Sequence, residues 1–144
     1  MRVSNLLTAK GSSIATIPPD SSVASAVDEL RRHGIGALVV SSDKQHIEGI
    51  ISERDIVRAL AGEGAGALLE ETVSSIMSKT VTTCSPDDEI VSLMTTMTNL
   101  RIRHVPVVSD EVLVGIVSIG DVVKHRIDEL EKDRNELVDY INAR

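Results

Sequence analysis

Apolar residues recur along the chain with two spacings, and each spacing occurs twice. The spacing i, i+3, i+4, i+7, which aligns apolar side chains on one face of a helix, is present in residues 23–30 and again in residues 90–97. Each of these runs is followed by two short segments rich in Val and Ile and then by another helical run. The pattern therefore predicts two copies of a unit ordered strand or turn, helix, strand, strand, helix.

The two copies also align residue by residue. A shift of 67 places residues 15–20 on residues 82–87 with Thr, Pro and Asp matched, and the loss of one residue in a later turn places residues 49–57 on residues 115–123. Five of the nine pairs in this last block are identical, which chance does not explain. Because one copy of about 60 residues buries little surface alone, we expect the two copies to pack into one unit.

Three local features refine this outline. Asp20 and Asp87 each follow a proline and precede a helical run, so both are predicted helix N-caps. Pro106 removes a backbone donor and predicts an edge position or a strand end. Three glycines in residues 61–66 predict a flexible loop between the copies, since a phosphate cradle would need a preceding strand and a following Gly-Lys-Ser/Thr.

These copies resemble a known family. Each carries Thr-x-x-Pro, an amphipathic helix, an Ile-x-x-hydrophobic strand and Gly-hydrophobic-hydrophobic-Ser-x-x-Asp, and together they resemble a pair of cystathionine-β-synthase (CBS) domains, a Bateman module, over about residues 1–127. The chain is most similar to small bacterial proteins that consist of one such pair. The resemblance implies an α+β fold of two tandem β-α-β-β-α repeats with a pseudo-two-fold axis and a C-terminal helix. The predicted boundaries are repeat one at 1–60, the connector at 61–72, repeat two at 73–127 and the tail helix at 128–144.

The resemblance also implies a ligand and an assembly. Members of this family bind adenosyl ligands (AMP, ADP, ATP, NAD or S-adenosylmethionine) in clefts between the repeats. They form dimers, commonly as a flat disc of four repeats. We therefore expect a homodimer with an adenosyl nucleotide as regulatory ligand and no obligatory cofactor.

The repeated Ser-x-x-Asp motif suits a nucleotide independently of the family. Ser52 and Asp55, and again Ser118 and Asp121, are three residues apart where a predicted strand gives way to a helix. This spacing places both side chains beside the free backbone N–H groups of the first helical turn. The carboxylate can accept two hydrogen bonds from a ribose diol, and the hydroxyl and N–H groups suit a phosphate. The alternative is helix capping alone.

Other candidate site residues follow from the resemblance. Thr16 and Thr83 would meet the ribose or phosphate, although a threonine in a short strand can equally be only a strand former. The segment after the first helix of each copy would form the second wall of a cleft, where small residues let the backbone approach adenine; ordinary core packing is the alternative. The residues of this wall are Ile35, Gly36 and Ala37 in copy one, and Ile102, Arg103, His104, Val105 and Pro106 in copy two.

Cationic residues make the two predicted clefts unequal. Arg103 and His104 stand where copy one has small residues, and Arg54 lies inside the first Ser-x-x-Asp motif. Guanidinium groups pair with phosphate in bidentate fashion, so a phosphate-rich ligand could use the cations of both copies. The alternative for each arginine is a surface ion pair.

Composition narrows the function classes. A net charge of −7 and a single aromatic residue, Tyr140, argue against a nucleic-acid surface and against base stacking. The single cysteine, Cys84, gives no disulfide signature, and no signal-peptide or membrane-span pattern occurs, so a cytoplasmic protein is expected. The four histidines lack metal-ligand spacing and neither motif serine has a nucleophile elbow, so we expect no metal site, no catalytic residue and no enzyme.

The C-terminal residues predict a long charged amphipathic helix. Its apolar stripe must be covered by its own module or by a partner subunit, with Tyr140 as an interface anchor. The stripe consists of Ile127, Leu130, Leu137 and Ile141. The sequence thus predicts a dimeric nucleotide sensor that acts in trans on an unidentified protein. The alternatives are a constitutive dimeric scaffold with non-functional clefts and an enzyme acting on a nucleotide.

Overall fold

The computed structural model describes residues 1–11 and 13–144, and in this part of the chain it contains the two predicted repeats. The helices are α1 (Val3–Lys10), α2 (Val23–His33), α3 (Glu53–Glu63), α4 (Ala65–Glu70), α5 (Val73–Ile76), α6 (Ile90–Leu100) and α7 (Ile119–Asn142). The strands are β1 (Thr16–Ile17), β2 (Ala37–Val40), β3 (Gly49–Ser52), β4 (His104–Ser109) and β5 (Val112–Ser118). In the first sheet β1 pairs parallel to β2, and β2 pairs antiparallel to β3; in the second, β4 pairs antiparallel to β5. The predicted α+β fold of tandem repeats is confirmed.

The first long helix of each repeat begins two residues later than the sequence predicts. Asp20 and Asp87 are not N-caps: Ser22 caps α2 by accepting a hydrogen bond from the Ser25 N–H, and Glu89 occupies the N-cap position of α6 without a side-chain cap. The reason is a backbone turn that separates each proline from its helix, closed in the first repeat by a hydrogen bond from residue 21 to residue 18 and in the second by one from residue 88 to residue 85.

Pro106 explains why the sheets of the two repeats differ. In the first repeat the Val39 N–H donates to the Ala15 carbonyl, which holds β1 against β2. Pro106 is the counterpart of Val39 and has no N–H, so the equivalent strand of the second repeat shrinks to a single bridge between Cys84 and Val107. Pro106 therefore lies inside the edge strand β4 and not at its end. The edge alternative is confirmed and the strand-end alternative is wrong.

The leading helix of each repeat packs into the other repeat. Val3 of α1 donates its N–H to the Asp88 carbonyl and is fully buried in the second repeat; Val73 of α5 donates to the Ser21 carbonyl and is fully buried in the first. The sequence boundaries assign residues 3–10 to repeat one, and their side chains contribute to the core of repeat two. This reciprocal exchange joins the repeats into one unit.

Each repeat has its own apolar core. The first core consists of Ile17, Ala26, Leu30, Leu38, Val40, Ile51 and Val73. The second consists of Val3, Leu6, Cys84, Ile90, Leu93, Met97, Val105, Val107, Val117 and Val122. Burial in this second core, together with the charge of Asp88, raises the pKa of the Cys84 thiol to about 12. The thiol therefore stays protonated near neutral pH and serves the core as an apolar side chain.

The connector is helical, so the prediction of a flexible loop at residues 61–66 is wrong. Helix α3 continues to Glu63, Gly64 breaks the backbone with a φ of +79°, and α4 follows at once. Leu68 of α4 is fully buried, and α4 contacts both α2 and α3. The two remaining glycines each destabilise a helix by about 1 kcal/mol relative to alanine. The burial of Leu68 and the high helix propensity of the alanines and leucines in the segment outweigh this cost.

We expect opposite effects from alanine at Gly49 and at Gly62. A Cβ on Gly49 would lie 2.6 Å from Met77 Sδ and 2.9 Å from the Ser78 carbonyl oxygen, so Gly49→Ala should destabilise the protein by about 1–3 kcal/mol. Gly62 lies in α3 with open space around it, so Gly62→Ala should stabilise it by up to about 1 kcal/mol. Urea unfolding of both variants measures the difference. Equal stability of the two variants would contradict the close approach at Gly49.

The tail and the last helix of repeat two form one continuous helix, α7, of 24 residues. Its predicted apolar stripe is not covered by its own module, because the four stripe residues are between 50% and 67% exposed and Tyr140 is 61% exposed. Among the described residues, no helix is long and apolar enough to cross a membrane.

Candidate functional site

Two clefts lie where the repeats meet, and they share a wall formed by Gly36, Ala37 and His104. The first cleft has a volume of about 480 Å³ and the second about 320 Å³. Each cleft combines the Ser-x-x-Asp motif of one repeat with the wall segment of the other. In the first cleft these residues are Ser52, Arg54 and Asp55 with Ile102, Arg103 and His104. In the second they are Ser118 and Asp121 with Ile35, Gly36 and Ala37.

Four of the predicted site residues lie outside the described lining of both clefts. Thr16 belongs to β1, where it pairs with Val39, and Thr83 is exposed. Val105 and Pro106 are buried in β4, Val105 within the second core. The residues just before the two threonines line the clefts instead: Ala15 the second and Thr82 the first. Side chains alternate between the two faces of an extended chain. When one residue faces a cleft, its neighbour in sequence therefore points to the opposite face.

Both Ser-x-x-Asp motifs form capping boxes at the starts of α3 and α7. The Ser52 N–H donates to Asp55 Oδ2 at 2.9 Å and the Asp55 N–H donates to Ser52 Oγ at 3.4 Å. Ser118 and Asp121 repeat the pair at 2.9 and 3.2 Å. The capping alternative is thus present in the structure. The capping hydrogen bonds fix each carboxylate in its cleft and use one carboxylate oxygen. Because the other oxygen takes no part in the cap, capping and ligand binding are compatible.

The second oxygen of Asp55 has a weak partner. Asp55 Oδ1 accepts a hydrogen bond from the Ser78 hydroxyl at 3.2 Å, and Ser78 itself lines the first cleft. A hydroxyl rotates freely and can turn from the carboxylate to another acceptor. Asp55 therefore retains capacity to accept hydrogen bonds from a ligand in the first cleft.

The carboxylate of the second cleft has a much stronger partner, Lys10. Its ammonium lies 2.6 Å from Asp121 Oδ2 and donates to the Ile116 carbonyl at 3.0 Å. Burial raises the pKa of Asp121, but the hydrogen bonds from Lys10 and Ser118 outweigh it and hold the pKa below its usual range. Sequence reasoning missed Lys10. Extending the internal alignment upstream, where residues 3–7 match residues 73–77 at a shift of 70, would have placed it in a repeat and near the cleft.

The first cleft concentrates positive charge. Four arginines line it against two carboxylates, those of Glu53 and Asp55. Arg54 spans the repeats, because its Nη1 donates to the carbonyl of Arg101, the left-handed C-cap of α6, at 3.1 Å. The arginines are Arg54, Arg58, Arg101 and Arg103. The clefts are therefore unequal, as the cations of the sequence predict.

His104 stands between the two clefts and close to Gly36. A Cβ on Gly36 would lie 3.0 Å from His104 Cε1 and 3.1 Å from Glu53 Oε1, so only glycine fits here without displacing the ring. Burial, followed by the charge of Lys10, lowers the pKa of His104 against the opposing effect of Glu53 and Asp121. At neutral pH the ring is therefore uncharged and presents a planar surface to the cleft. Among the described residues, no group of His, Cys, Asp and Glu could hold a metal ion.

Both repeats match one known domain family. The sequence profile of the CBS domain matches residues 8–62 and again residues 73–128. The chain belongs to the CBS-domain family. It is 36% identical over 128 residues to a mitochondrial CBS domain-containing protein of Arabidopsis thaliana, covering 86% of this chain and 62% of that protein. The chain thus spans less than two thirds of that relative's length.

Solved CBS-domain structures share the fold. A CBS-domain containing protein from Agrobacterium tumefaciens has a TM-score of 0.84 at 44% identity, covering 88% of this chain and 99% of that one. A CBS domain protein from Pyrobaculum aerophilum complexed with AMP has a TM-score of 0.74 at 28% identity, covering 84% and 89%. A CBS domain pair in complex with 5′-methylthioadenosine and S-adenosyl-L-methionine has a TM-score of 0.78 at 27% identity, covering 90% and 98%.

Proposed function

We propose that this protein is a regulatory sensor that binds an adenosine-containing nucleotide in the first cleft and acts in trans on a partner protein. One observation carries the proposal: Asp55, fixed at the N-terminus of α3, lines a cleft of about 480 Å³ together with four arginines, of which Arg101 and Arg103 come from the second repeat. A carboxylate opposite clustered guanidinium groups matches the two polar ends of a nucleotide, the ribose diol and the phosphate. The adenosine ligands of the related CBS pairs support this assignment.

Each part of the nucleotide has a candidate partner in the first cleft. The ribose diol donates to Asp55, and the phosphate lies against Arg54, Arg103 and the positive N-terminal end of the α3 dipole. The adenine lies in the wall between Ala37 and Ile102, where main-chain groups are within reach and no Phe, Tyr or Trp ring is among the described lining residues. Affinity therefore depends on the charged contacts, and a micromolar dissociation constant is expected, corresponding to about −8 kcal/mol.

A nucleotide bound this way links the repeats. Asp55 and Arg54 belong to repeat one, whereas Arg103 and Ile102 belong to repeat two. A ligand that binds two arrangements of the repeats unequally shifts the balance between them, and a partner that distinguishes the arrangements receives the signal. This is a binding function, and we assign no residue a catalytic role.

Titration calorimetry and thermal unfolding with AMP, ADP, ATP, NAD and S-adenosylmethionine test the proposal. We expect at least one of the five to bind with a micromolar dissociation constant and to raise the melting temperature, since binding to the folded state stabilises it. If none of them releases heat or shifts the melting temperature at millimolar concentration, the sensor proposal fails. A constitutive scaffold with non-functional clefts is then the remaining interpretation.

We further propose that the protein acts as a homodimer built on the groove between α2 and α3. Val27, Ile56 and Val57 line this groove, whose volume is about 510 Å³, and Val57 is 64% exposed. The second repeat exposes a comparable apolar face on α6 and α7, where Leu100, Val123 and Ile127 are 44–55% exposed. Two such faces on one chain suit a closed two-fold assembly.

We expect Val57→Glu to convert the dimer into a monomer, because it places a charge in the groove without touching either core. Leu69→Glu is the matched control: Leu69 is 39% exposed on α4, outside the described lining of the groove and on neither apolar face. Sedimentation velocity of both variants measures the mass. A Val57→Glu protein that sediments as the wild type does would show that the groove is not the interface.

A further inference from the structure

We infer that Lys10 fills the ligand position of the second cleft, so that each chain binds one nucleotide, in the first cleft. The inference rests on the proposed function and specifies its stoichiometry. The observation behind it is the ammonium of Lys10, which lies in the second cleft against Asp121 and the Ile116 carbonyl. Asp121 is the carboxylate that stands where Asp55 stands in the first cleft.

The carbonyl and the carboxylate at equivalent positions of the two clefts have different hydrogen-bond donors. In the first cleft the Ile50 carbonyl accepts from the Ser78 N–H at 2.9 Å, and Asp55 accepts from the Ser78 hydroxyl at 3.2 Å. In the second cleft the Ile116 carbonyl and Asp121 Oδ2, the oxygen that also accepts the capping N–H of Ser118, both accept from the one ammonium of Lys10. A single cationic side chain thus replaces a backbone group and a hydroxyl.

The leading helices explain this difference. Helix α5 ends at Ile76, which frees Ser78 to pair with Ile50 along β3. Helix α1 remains helical through Lys10, and only the long side chain of Lys10 reaches the second cleft. The lysine contacts therefore follow from the length of α1.

Lys10 competes directly with a nucleotide. A ribose diol that approaches Asp121 in the second cleft meets the ammonium of Lys10, which makes a charge-assisted bond of 2.6 Å to Asp121 Oδ2 and whose side chain is only 33% exposed. Displacing that ammonium would also leave the Ile116 carbonyl without its donor. The net charge of the lining also favours the first cleft for a phosphate. In the described lining of the second cleft one lysine balances one aspartate, whereas in the first cleft four arginines outnumber two carboxylates.

Titration calorimetry with AMP counts the sites. The wild-type chain should bind one AMP, and Lys10→Met should bind two, because the methionine keeps the length of the side chain but releases Asp121. Lys10→Arg is the matched control, since it retains the cation and should bind one. Asp55→Asn, in a chain that retains Lys10, also tests whether the second cleft is closed to AMP, because it leaves that cleft unaltered. This variant should have no AMP site of affinity comparable to the wild type.

Failure of this inference is distinguishable from failure of the sensor proposal. Two AMP molecules per wild-type chain, or a full-affinity site remaining in Asp55→Asn, would overturn the role of Lys10 while nucleotide binding stands. One AMP per Lys10→Met chain, with the first site intact, would also overturn it. No binding to the wild type by any of the five ligands would overturn both.

Discussion

We expect Asp55→Asn to weaken AMP binding by about a hundredfold. The carboxylate has one oxygen engaged by Ser52 and a second whose partner is the mobile hydroxyl of Ser78, so a ribose diol can reach it. Asparagine keeps the shape but loses the charge and one acceptor, which costs about 3 kcal/mol when hydrogen bonds to a charged group are lost. Titration calorimetry measures the change directly.

Asp121→Asn is the matched variant in the other repeat. It removes the same charge from an equivalent capping box, so the two substitutions have similar costs for helix stability. Because Asp121 is paired with Lys10, we expect its loss to change AMP affinity much less than that of Asp55. If the two variants lose affinity equally, or if Asp121→Asn loses more, the assignment of the ligand to the first cleft is wrong.

We expect Leu6→Ala to destabilise the protein by about 2–5 kcal/mol, and to loosen the core of the second repeat although Leu6 belongs to the first repeat by sequence. Leu6 is 4% exposed and packs in the second core with Cys84. Truncating a buried leucine removes apolar burial and leaves a cavity. Because the Cys84 thiol lies in the same core with its pKa raised to about 12, its reaction with a thiol reagent reports the loosening of that core.

Ile76→Ala provides the comparison, because Ile76 is the counterpart of Leu6 and packs against the first core. Both variants are compared at denaturant concentrations that give equal global stability. Leu6→Ala should accelerate Cys84 labelling more than Ile76→Ala does. Equal acceleration would show that the exchange of α1 and α5 does not determine the local stability of the cores.

The local pattern was sufficient to predict the repeats and much of each cleft. Helices α2 and α6, the paired strands and the two capping motifs follow from apolar spacing and from the internal alignment, because each depends on residues close in sequence. The inequality of the clefts also follows, since Arg103 and His104 replace small residues at aligned positions. These features require no knowledge of which repeat packs against which.

The features that the sequence did not predict depend on tertiary packing. The spacing of apolar residues in α1 does not indicate which core the helix packs against. The sequence therefore does not predict Lys10 as a cleft residue. The glycines of residues 61–66 favour a loop locally, but the burial of Leu68 stabilises the helical conformation of this segment. The roles of Thr16 and Thr83 come from the family resemblance and stay predictions; a two-residue strand carries too little pattern to fix which of its side chains faces the cleft.

A structure of crystals grown in the presence of AMP tests most directly the central claim, that each chain binds one nucleotide in the first cleft. We expect nucleotide in the first cleft of each chain, with the ribose hydroxyls within hydrogen-bond distance of Asp55 and the phosphate against Arg54 or Arg103. The second cleft should retain the contact between Lys10 and Asp121. AMP bound outside the first cleft would contradict the account, and so would a first cleft that stays empty at saturating concentrations of AMP and of each of the other four ligands.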